Sequence, residues 1–243
     1  MSIPVPHTNN KGDLAEAFAG IKSDPKWQLK LCIGGFVNYL ALTLVCLQPL
    51  LIPLSFLCLA LSKGYLLRAM REIINKDSSP EAPPRLPNWD DLLDLLVSGL
   101  SFIVIEVGFA FFFLTFFVVT LIIKLALWES LASNPWSVAL TIGHFLLLSL
   151  LYLGLNLFAF VLMANFAQQE SMSSGFQWLK VYRRIKKEPV GFGTAWLVSM
   201  ALTALAWLSS LTIVLVLLLP VFYFASHLIG ARLCAVVWRS TQD

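Results

Sequence analysis

The chain of 243 residues is 58% hydrophobic and only 13% charged, with a formal net charge of +3. Soluble globular domains are about 45–50% apolar and about 25% charged, so the composition excludes an ordinary soluble domain. We expect residues 1–243 to form a single integral membrane domain. The four cysteines all fall in apolar segments, where neither a disulfide framework nor a reactive thiolate is expected.

The first 30 residues are predicted to form a cytoplasmic segment with one interfacial helix. Met1 to Trp27 is polar and lacks the apolar core of a cleavable signal peptide, so the first span is expected to direct insertion. Leu14, Phe18 and Ile21 recur at helical spacing, which predicts a short helix with these side chains facing the membrane.

Four segments are long and apolar enough to cross a hydrocarbon core, which takes about 20 residues of helix, and two more are shorter or interrupted. Prolines interrupt two longer apolar stretches. Because proline breaks a helix, Gln48–Pro53 and Leu218–Pro220 are expected to be tight turns between paired spans. The fold class is therefore all-α, a polytopic transmembrane bundle with spans at Leu31–Leu47, Leu54–Leu67, Leu100–Ile123, Val138–Ala164, Trp196–Leu217 and Val221–Trp238.

The basic residues predict the orientation of the chain. With six spans, all of the 17 Lys and Arg residues except Lys124 fall in segments on the side of the N terminus. Lys and Arg accumulate on the cytoplasmic side of membrane proteins. Both termini are therefore expected to be cytoplasmic.

Spans one and two resemble spans five and six, which indicates an internal repeat. The segment Leu14–Pro25 aligns without a gap with Trp178–Pro189, and each is followed by a span, a proline turn and a second span. Gly64 and Gly230 take similar places after the turns. An offset of four spans preserves direction, so the repeat is parallel, whereas many transporters contain inverted repeats.

Two cytoplasmic amphipathic segments are predicted between spans, at 68–99 and 168–190. In the second segment, an apolar helix face that includes Trp178 and Tyr182 is expected to lie among acyl chains, together with Val181 and Ile185. The opposite face is a candidate site for anionic lipid headgroups and consists of Lys180, Arg183, Arg184 and Lys187. Simple anchoring of the helix at the interface is the favoured interpretation, and binding of a specific lipid is the alternative.

The first amphipathic segment contains a proline-rich stretch from Asp77 to Asn88, which is expected to be a loop. A short interfacial helix is predicted after it, capped by Asn88 and ending at Gly99. Asp90 is expected to stabilise the start of this helix and to pair with Arg68 or Arg71.

These features together resemble a known family. The span pair ending in Gly64–Tyr65, the basic tail, the proline loop, the helix start at Pro87, Trp89 and Asp90, and Gly99 opening the third span are similar to a domain-of-unknown-function family of bacterial and archaeal membrane proteins. That family distantly resembles the membrane domain of glycerophosphodiester phosphodiesterases. The resemblance implies a six-span helical fold in a prokaryotic plasma membrane, with the thylakoid membrane as the alternative in a photosynthetic source. It brings no catalytic residues.

The few polar residues inside the spans are the candidate functional residues. Glu106, Asn38 and Asn156 fall at similar depth when each helix is measured from its inner end, and His144 and His227 form a second layer nearer the outer face. A charged carboxylate inside a bilayer costs several kcal/mol, so we expect a neutral Glu106 hydrogen-bonded to an Asn. A proton-coupling or cation-coupling acid is the alternative. The histidines lack the further ligands of a haem or metal site, so no cofactor is expected.

The sequence contains no GxSxG, HExxH or phosphate-binding loop, so we do not expect an enzyme. The expected function is to organise or assemble membrane partners. The alternative is a small-solute or lipid transporter, or a lipid-handling protein, that uses Glu106. The expected partners are membrane lipids, with anionic lipids among them, and a membrane protein or a second copy of the chain. Nucleic acid is not expected, because the basic charge follows from topology.

Overall fold

The computed structural model describes residues 10–75, 85–131, 136–209 and 218–242. These residues form eight α-helices and two short 3₁₀ turns, at Pro49–Leu51 and Met172–Phe176, and they contain no β-strand. The helices are α1 (Asn10–Lys22), α2 (Trp27–Leu47), α3 (Ile52–Ile74), α4 (Leu92–Leu131), α5 (Trp136–Gln169), α6 (Trp178–Lys187), α7 (Pro189–Ser209) and α8 (Leu219–Ser240).

Six of these helices, α2, α3, α4, α5, α7 and α8, are long and apolar enough to cross a membrane. The all-α fold class and the number of spans are therefore confirmed, and the chain is a multi-pass membrane protein. The first proline turn is also confirmed, because Pro49 begins a 3₁₀ turn and Pro53 lies in the first turn of α3. Proline is tolerated there, since the first turn of a helix has no partner for its N–H group. The predicted end of the fifth span at Leu217 lies outside the described residues.

The position of Lys63 and the start of α4 differ from the prediction. The sequence counts Lys63 among the basic residues of the inner segments, but it lies in the middle of α3, which continues past the predicted span to Ile74. α4 begins at Leu92 and passes through Gly99 without a break. The part of segment 68–99 after the loop is therefore the start of a long span rather than a separate interfacial helix.

Gly99 has a packing role that explains this difference. A Cβ atom at Gly99 would collide with the backbone carbonyl of Ala60 on α3, and one at Gly64 would collide with the backbone of Leu95 on α4. The two glycines therefore let α3 and α4 cross at close range. Small residues serve this purpose at many transmembrane helix crossings.

The two halves of the predicted repeat contain matching elements. Each half has a short helix, α1 or α6, followed by a span of 21 residues, α2 or α7. The second spans, α3 and α8, contain 23 and 22 residues. α8 packs against α2, α3 and α7, so the two halves share one interface.

α1 forms as predicted, but part of the face expected to contact lipid contacts protein. It packs against α8, where Arg232 Nε donates a hydrogen bond to the carbonyl of Ala17 at 3.3 Å. Ile21, expected among the lipids, is buried in the core instead. Helical spacing identifies an apolar face, but whether protein or lipid covers that face depends on tertiary packing.

The core lies at one end of the bundle, which we call the basic end. There α3, α5 and α8 end, α4 begins and α6 packs, around fully buried side chains that include Tyr65, Phe102, Phe166 and Trp238. The basic end carries Lys30, Arg68, Arg71, Arg184, Arg232 and Arg239. In α8, 67% of the most apolar stretch is buried, against 17% in each of α4 and α5, so these two long helices present broad apolar surfaces outward.

Candidate functional site

Glu106, the candidate intramembrane acid, forms an ion pair with a lysine. Lys63 Nζ lies 2.6 Å from Glu106 Oε1, and the two side chains are 29% and 33% exposed. Helical side chains lean toward the N terminus of their own helix. Because α3 and α4 run in opposite directions, Lys63 and Glu106 lean toward each other. The sequence predicts an asparagine partner for Glu106, and the structure gives it a cation instead.

The two asparagines of the predicted inner layer bind elsewhere. Asn38 Nδ2 donates to the carbonyl of Gly34 and to Ser62 Oγ, each at 3.0 Å, and so connects α2 to α3. Asn156 Oδ1 accepts a hydrogen bond of 2.8 Å from Trp196 Nε1 and connects α5 to α7. The polar residues of this layer therefore form three separate interhelical contacts and no common site.

The two histidines also have separate surroundings. His227 Nδ1 lies 2.9 Å from the carbonyl of Tyr223, and the centroids of the two rings are 4.3 Å apart. His144 lines a cavity of about 360 Å³ between α4 and α5, together with Lys124. The predicted outer layer does not assemble. Among the described residues, no group of three or more His, Cys, Asp or Glu side chains could hold a metal ion.

A buried ion pair connects α1, α2 and the chain before α4. Lys30 Nζ donates to Asp24 Oδ2 and to the carbonyl of Leu86, each at 2.6 Å. Asp24 Oδ1 accepts the N–H of Lys26 at 2.8 Å, and Asp24 is only 3% exposed. Burial by itself raises the pKa of Asp24, but the hydrogen bonds and the charge of Lys30 outweigh it and hold the pKa below its ordinary value.

The residues before α4 are fixed to the core by two aromatic side chains. Trp89 stacks on Tyr65 with ring centroids 4.2 Å apart, and its Nε1 donates to the carbonyl of Lys30 at 3.1 Å. The Tyr65 hydroxyl donates to the carbonyl of Pro87 at 2.9 Å. Trp89, which the sequence assigns to the helix start, is therefore a packed residue of the core.

The start of α4 is stabilised differently from the prediction. The helix begins after Asp91, which has a φ of 50°, so Asn88 is not its cap. Asp tolerates this left-handed conformation better than most residues. The predicted ion pair does form, since Arg68 Nη1 lies 3.0 Å from Asp90 Oδ1. Arg71 pairs with Glu170 after α5, at 2.6 Å.

The helix α6 is confirmed, but it has three faces rather than two. Val181 is fully buried and Ile185 packs against the core, so this face contacts protein. Trp178, Leu179 and Tyr182 are each more than half exposed and form an outward apolar face. The sequence could not separate these two faces, because both are apolar.

The third face of α6 is the predicted cationic one, and the structure brings its members together. They line an open groove of about 760 Å³, which we call the cationic groove, with Lys180, Arg183, Arg184 and Lys187 joined by Thr241 and Gln242 at the end of α8. Burial and the neighbouring charge of Arg184 lower the pKa of Lys180. Closely spaced cations in a concave surface attract an anion.

Arg184 differs from the other three cations. Its guanidinium lies 4.0 Å from the ring centroid of Trp238, and Nη1 donates to the carbonyl of that residue at 3.2 Å. Burial lowers the pKa of Arg184. This arginine therefore fastens α6 to α8, whereas Arg183 and Lys187 are exposed.

Comparison with protein families identifies the group to which this fold belongs. A family model described as a protein of unknown function (DUF4013) matches residues 47–221, which is more than half of the chain. The chain belongs to this family. The matched region includes the Lys63–Glu106 pair and the cations of α6. The resemblance to a domain-of-unknown-function family is thereby confirmed, while the more distant likeness to phosphodiesterase membrane domains stays a prediction.

Comparison with curated proteins finds no match, and comparison with solved structures finds none either. The family description names no function. Functional inference for this chain therefore rests on its own residues and their geometry.

Proposed function

We propose that the protein is a non-catalytic membrane protein that organises or assembles partners in the plane of the membrane. The proposal is supported mainly by the hydrogen bonds and the ion pair that polar side chains within the spans form. Glu106, Asn38 and Asn156 each bind a side chain on a neighbouring helix. Such interhelical contacts hold a transmembrane bundle together.

The outward apolar surface of α4 and α5 supports the same proposal. At 40 residues and about 1.5 Å per residue, α4 is about 60 Å long, well beyond a hydrocarbon core of about 30 Å. Phe111 on α4 and Leu150 on α5 are 71% and 67% exposed. These two helices offer a large apolar surface to a membrane protein or to a second copy of the chain.

We place the basic end in the cytoplasm of a prokaryotic cell, with both termini on that side of the plasma membrane. The cations of the basic end and the position of Lys124 near the opposite end of α4 support this orientation through the positive-inside rule. A phosphatase reporter fused after Gln242 is expected to be inactive, because that enzyme works only outside the cytoplasm. An active fusion would reverse the orientation.

Purification of the tagged full chain from native membranes after crosslinking tests the proposed function. We expect a stoichiometric membrane-protein partner or a crosslinked dimer. Replacing Phe111 and Leu150 together by alanine is expected to reduce the recovered partner. The matched control replaces Leu197 and Leu208, which are exposed on α7 at 59% and 61%. A chain that is always recovered as a monomer, with and without crosslinker, would contradict the proposal.

A second function is favoured by one observation. The Lys63–Glu106 pair lies within two spans and is not enclosed by protein, since both side chains are about one third exposed. An intramembrane acid of this kind can couple a proton or a cation in a transporter or lipid-handling protein. Glu106→Gln in proteoliposomes separates the two candidates. Loss of a proton-coupled flux at normal protein level supports transport. Equal flux in variant and wild type supports the organising role.

A further inference from the structure

Two concave surfaces meet at the start of α6. One is the cationic groove, which faces the end of α8. The other is an apolar pocket of about 490 Å³ between α4, α5 and α6, to which α4 contributes Val104, Ile105 and Gly108. Phe176, Trp178 and Leu179 line both surfaces. A polar and an apolar binding surface are thus continuous across the first turn of one interfacial helix.

We propose that the groove and the pocket together bind one anionic phospholipid, with its phosphate headgroup in the cationic groove and one acyl chain in the apolar pocket. An anionic phospholipid would then be a partner of the proposed membrane protein. The lipid site depends on the proposed function only because α6 must lie at the membrane interface.

Charge complementarity supports the headgroup position. The described lining of the groove contains four cations and no carboxylate side chain. Lys180 and Arg184 are close enough that the charge of Arg184 lowers the pKa of Lys180. A phosphate placed between them would relieve that repulsion and accept hydrogen bonds from both groups. Arg184 stays fastened to Trp238, so Lys180, Arg183 and Lys187 are the side chains that can adapt to a ligand.

The shape of the apolar pocket supports the acyl-chain position. Its lining consists almost entirely of aliphatic and aromatic side chains, and Trp178 borders both the pocket and the groove. The Trp178 ring is held by Phe109, with ring centroids 5.8 Å apart, and by a hydrogen bond of 3.2 Å from Nε1 to the carbonyl of Gly175. Tryptophan is favoured at this depth of a membrane, where one end of the ring is apolar and the other wet. A fixed ring at the border can therefore position a lipid between its headgroup and its chain.

Native mass spectrometry of the full chain in a non-ionic detergent tests the headgroup part, with phosphatidylglycerol as the probe and phosphatidylcholine as the neutral comparison. Each basic residue near an anionic lipid surface is worth about five-fold in affinity, so the triple variant K180Q/R183Q/K187Q should bind phosphatidylglycerol on the order of 100-fold more weakly. The control K22Q/K26Q/K186Q removes three exposed cations outside the groove and should bind like wild type. Equal binding by both triple variants would overturn the headgroup site.

A second pair of variants tests the acyl-chain part. A Cβ atom at Gly108 meets nothing within 4 Å, so Gly108→Leu can fill the pocket without disturbing the helices. We expect it to weaken phosphatidylglycerol binding several-fold without lowering the thermal stability, because leucine favours a helix more than glycine does. Gly193→Leu, where the added atom also meets nothing, is the matched control.

Glycerol phosphate distinguishes a lipid from a free phosphate ligand. It should bind far more weakly than phosphatidylglycerol, and Gly108→Leu should not affect it. Equal affinity for the two ligands, or an unaltered lipid affinity in Gly108→Leu, would overturn the combined site. Recovery of a membrane-protein partner is measured separately, so loss of the lipid proposal leaves the organising function testable.

Discussion

Lys63 on α3 and Glu106 on α4 are bonded at 2.6 Å between Nζ and Oε1, inside two helices that span the membrane. Either charge alone would be costly in a bilayer. Together they neutralise each other and connect the two helices. Lys63 directly precedes Gly64 of the helix crossing, and Glu106 lies seven residues after Gly99. The pair therefore explains how a chain this apolar keeps a lysine and a glutamate within its spans.

Removing one member of this pair should be more harmful than removing both. We expect Lys63→Met and Glu106→Met each to lower the free energy of unfolding by about 1–3 kcal/mol, because each leaves one member of the pair without its partner in the membrane. The double variant K63M/E106M should recover part of that loss. Reversible unfolding in mixed micelles measures the effect, with Lys124→Met as a control outside the pair. Additive losses in the double variant would show that the two residues are not coupled.

The close crossing of α3 and α4 should depend on the two glycines at the contact. Gly64→Ala and Gly99→Ala should each destabilise the protein by about 1–3 kcal/mol, since the new Cβ would meet backbone rather than a movable side chain. Gly154→Ala on α5 is the matched control. Nothing lies within 4 Å of its added Cβ, and alanine favours a helix, so it should be neutral or slightly stabilising. Thermal unfolding that ranks the three variants equally would contradict the proposed role of the crossing.

The ion pair of Asp24 should make the stability of the folded protein depend on pH in the acid range. Its pKa is lower in the folded protein than in the unfolded chain, because Lys30 and the Lys26 N–H bind the carboxylate. The stabilisation is therefore complete above about pH 4, the ordinary range for Asp, and is lost as the pH falls through the lowered pKa. Asp24→Asn should be less stable at neutral pH and should lose less stability in acid.

Tryptophan fluorescence during chemical unfolding at several pH values measures this effect, since Trp89 contacts the backbone of Lys30. Asp91→Asn is the control, because Asp91 is an exposed carboxylate at the same end of the bundle and Asn also accepts its positive φ. Parallel pH curves for wild type and Asp24→Asn would rule out a contribution from this ion pair.

The spans and turns were predictable because a bilayer imposes a length and a composition on any helix that crosses it. Proline marked the turn before α3 for an equally local reason. The prediction that a helix ends at Gly99 is wrong, because glycine also occurs where another backbone passes within contact distance, and the sequence does not distinguish the two cases. Local signals thus predict where a helix can form better than where two helices must touch.

The prediction for the partner of Glu106 is wrong for a similar reason. Counting Lys63 with the basic residues of the inner segments leaves asparagines as the nearest candidates at the depth of the acid. In the structure Lys63 lies within α3, and its side chain reaches Glu106 on the neighbouring helix. On α6 the spacing correctly grouped the four cations, but it could not show that Arg184 turns toward Trp238.

The difference between Arg184 and Arg183 yields a last prediction. Arg184 stacks on Trp238 and donates to its carbonyl, and these contacts together are worth about 1–2 kcal/mol. Arg184→Gln should therefore lower the free energy of unfolding by that amount, while Arg183→Gln should change it by less than about 0.5 kcal/mol. Arg184→Lys keeps the charge but loses the planar group that stacks on the ring, so it should fall between the two. If Arg183→Gln proved as destabilising as Arg184→Gln, the four cations would share one structural role and the division of α6 into an anchoring arginine and three adaptable cations would be wrong.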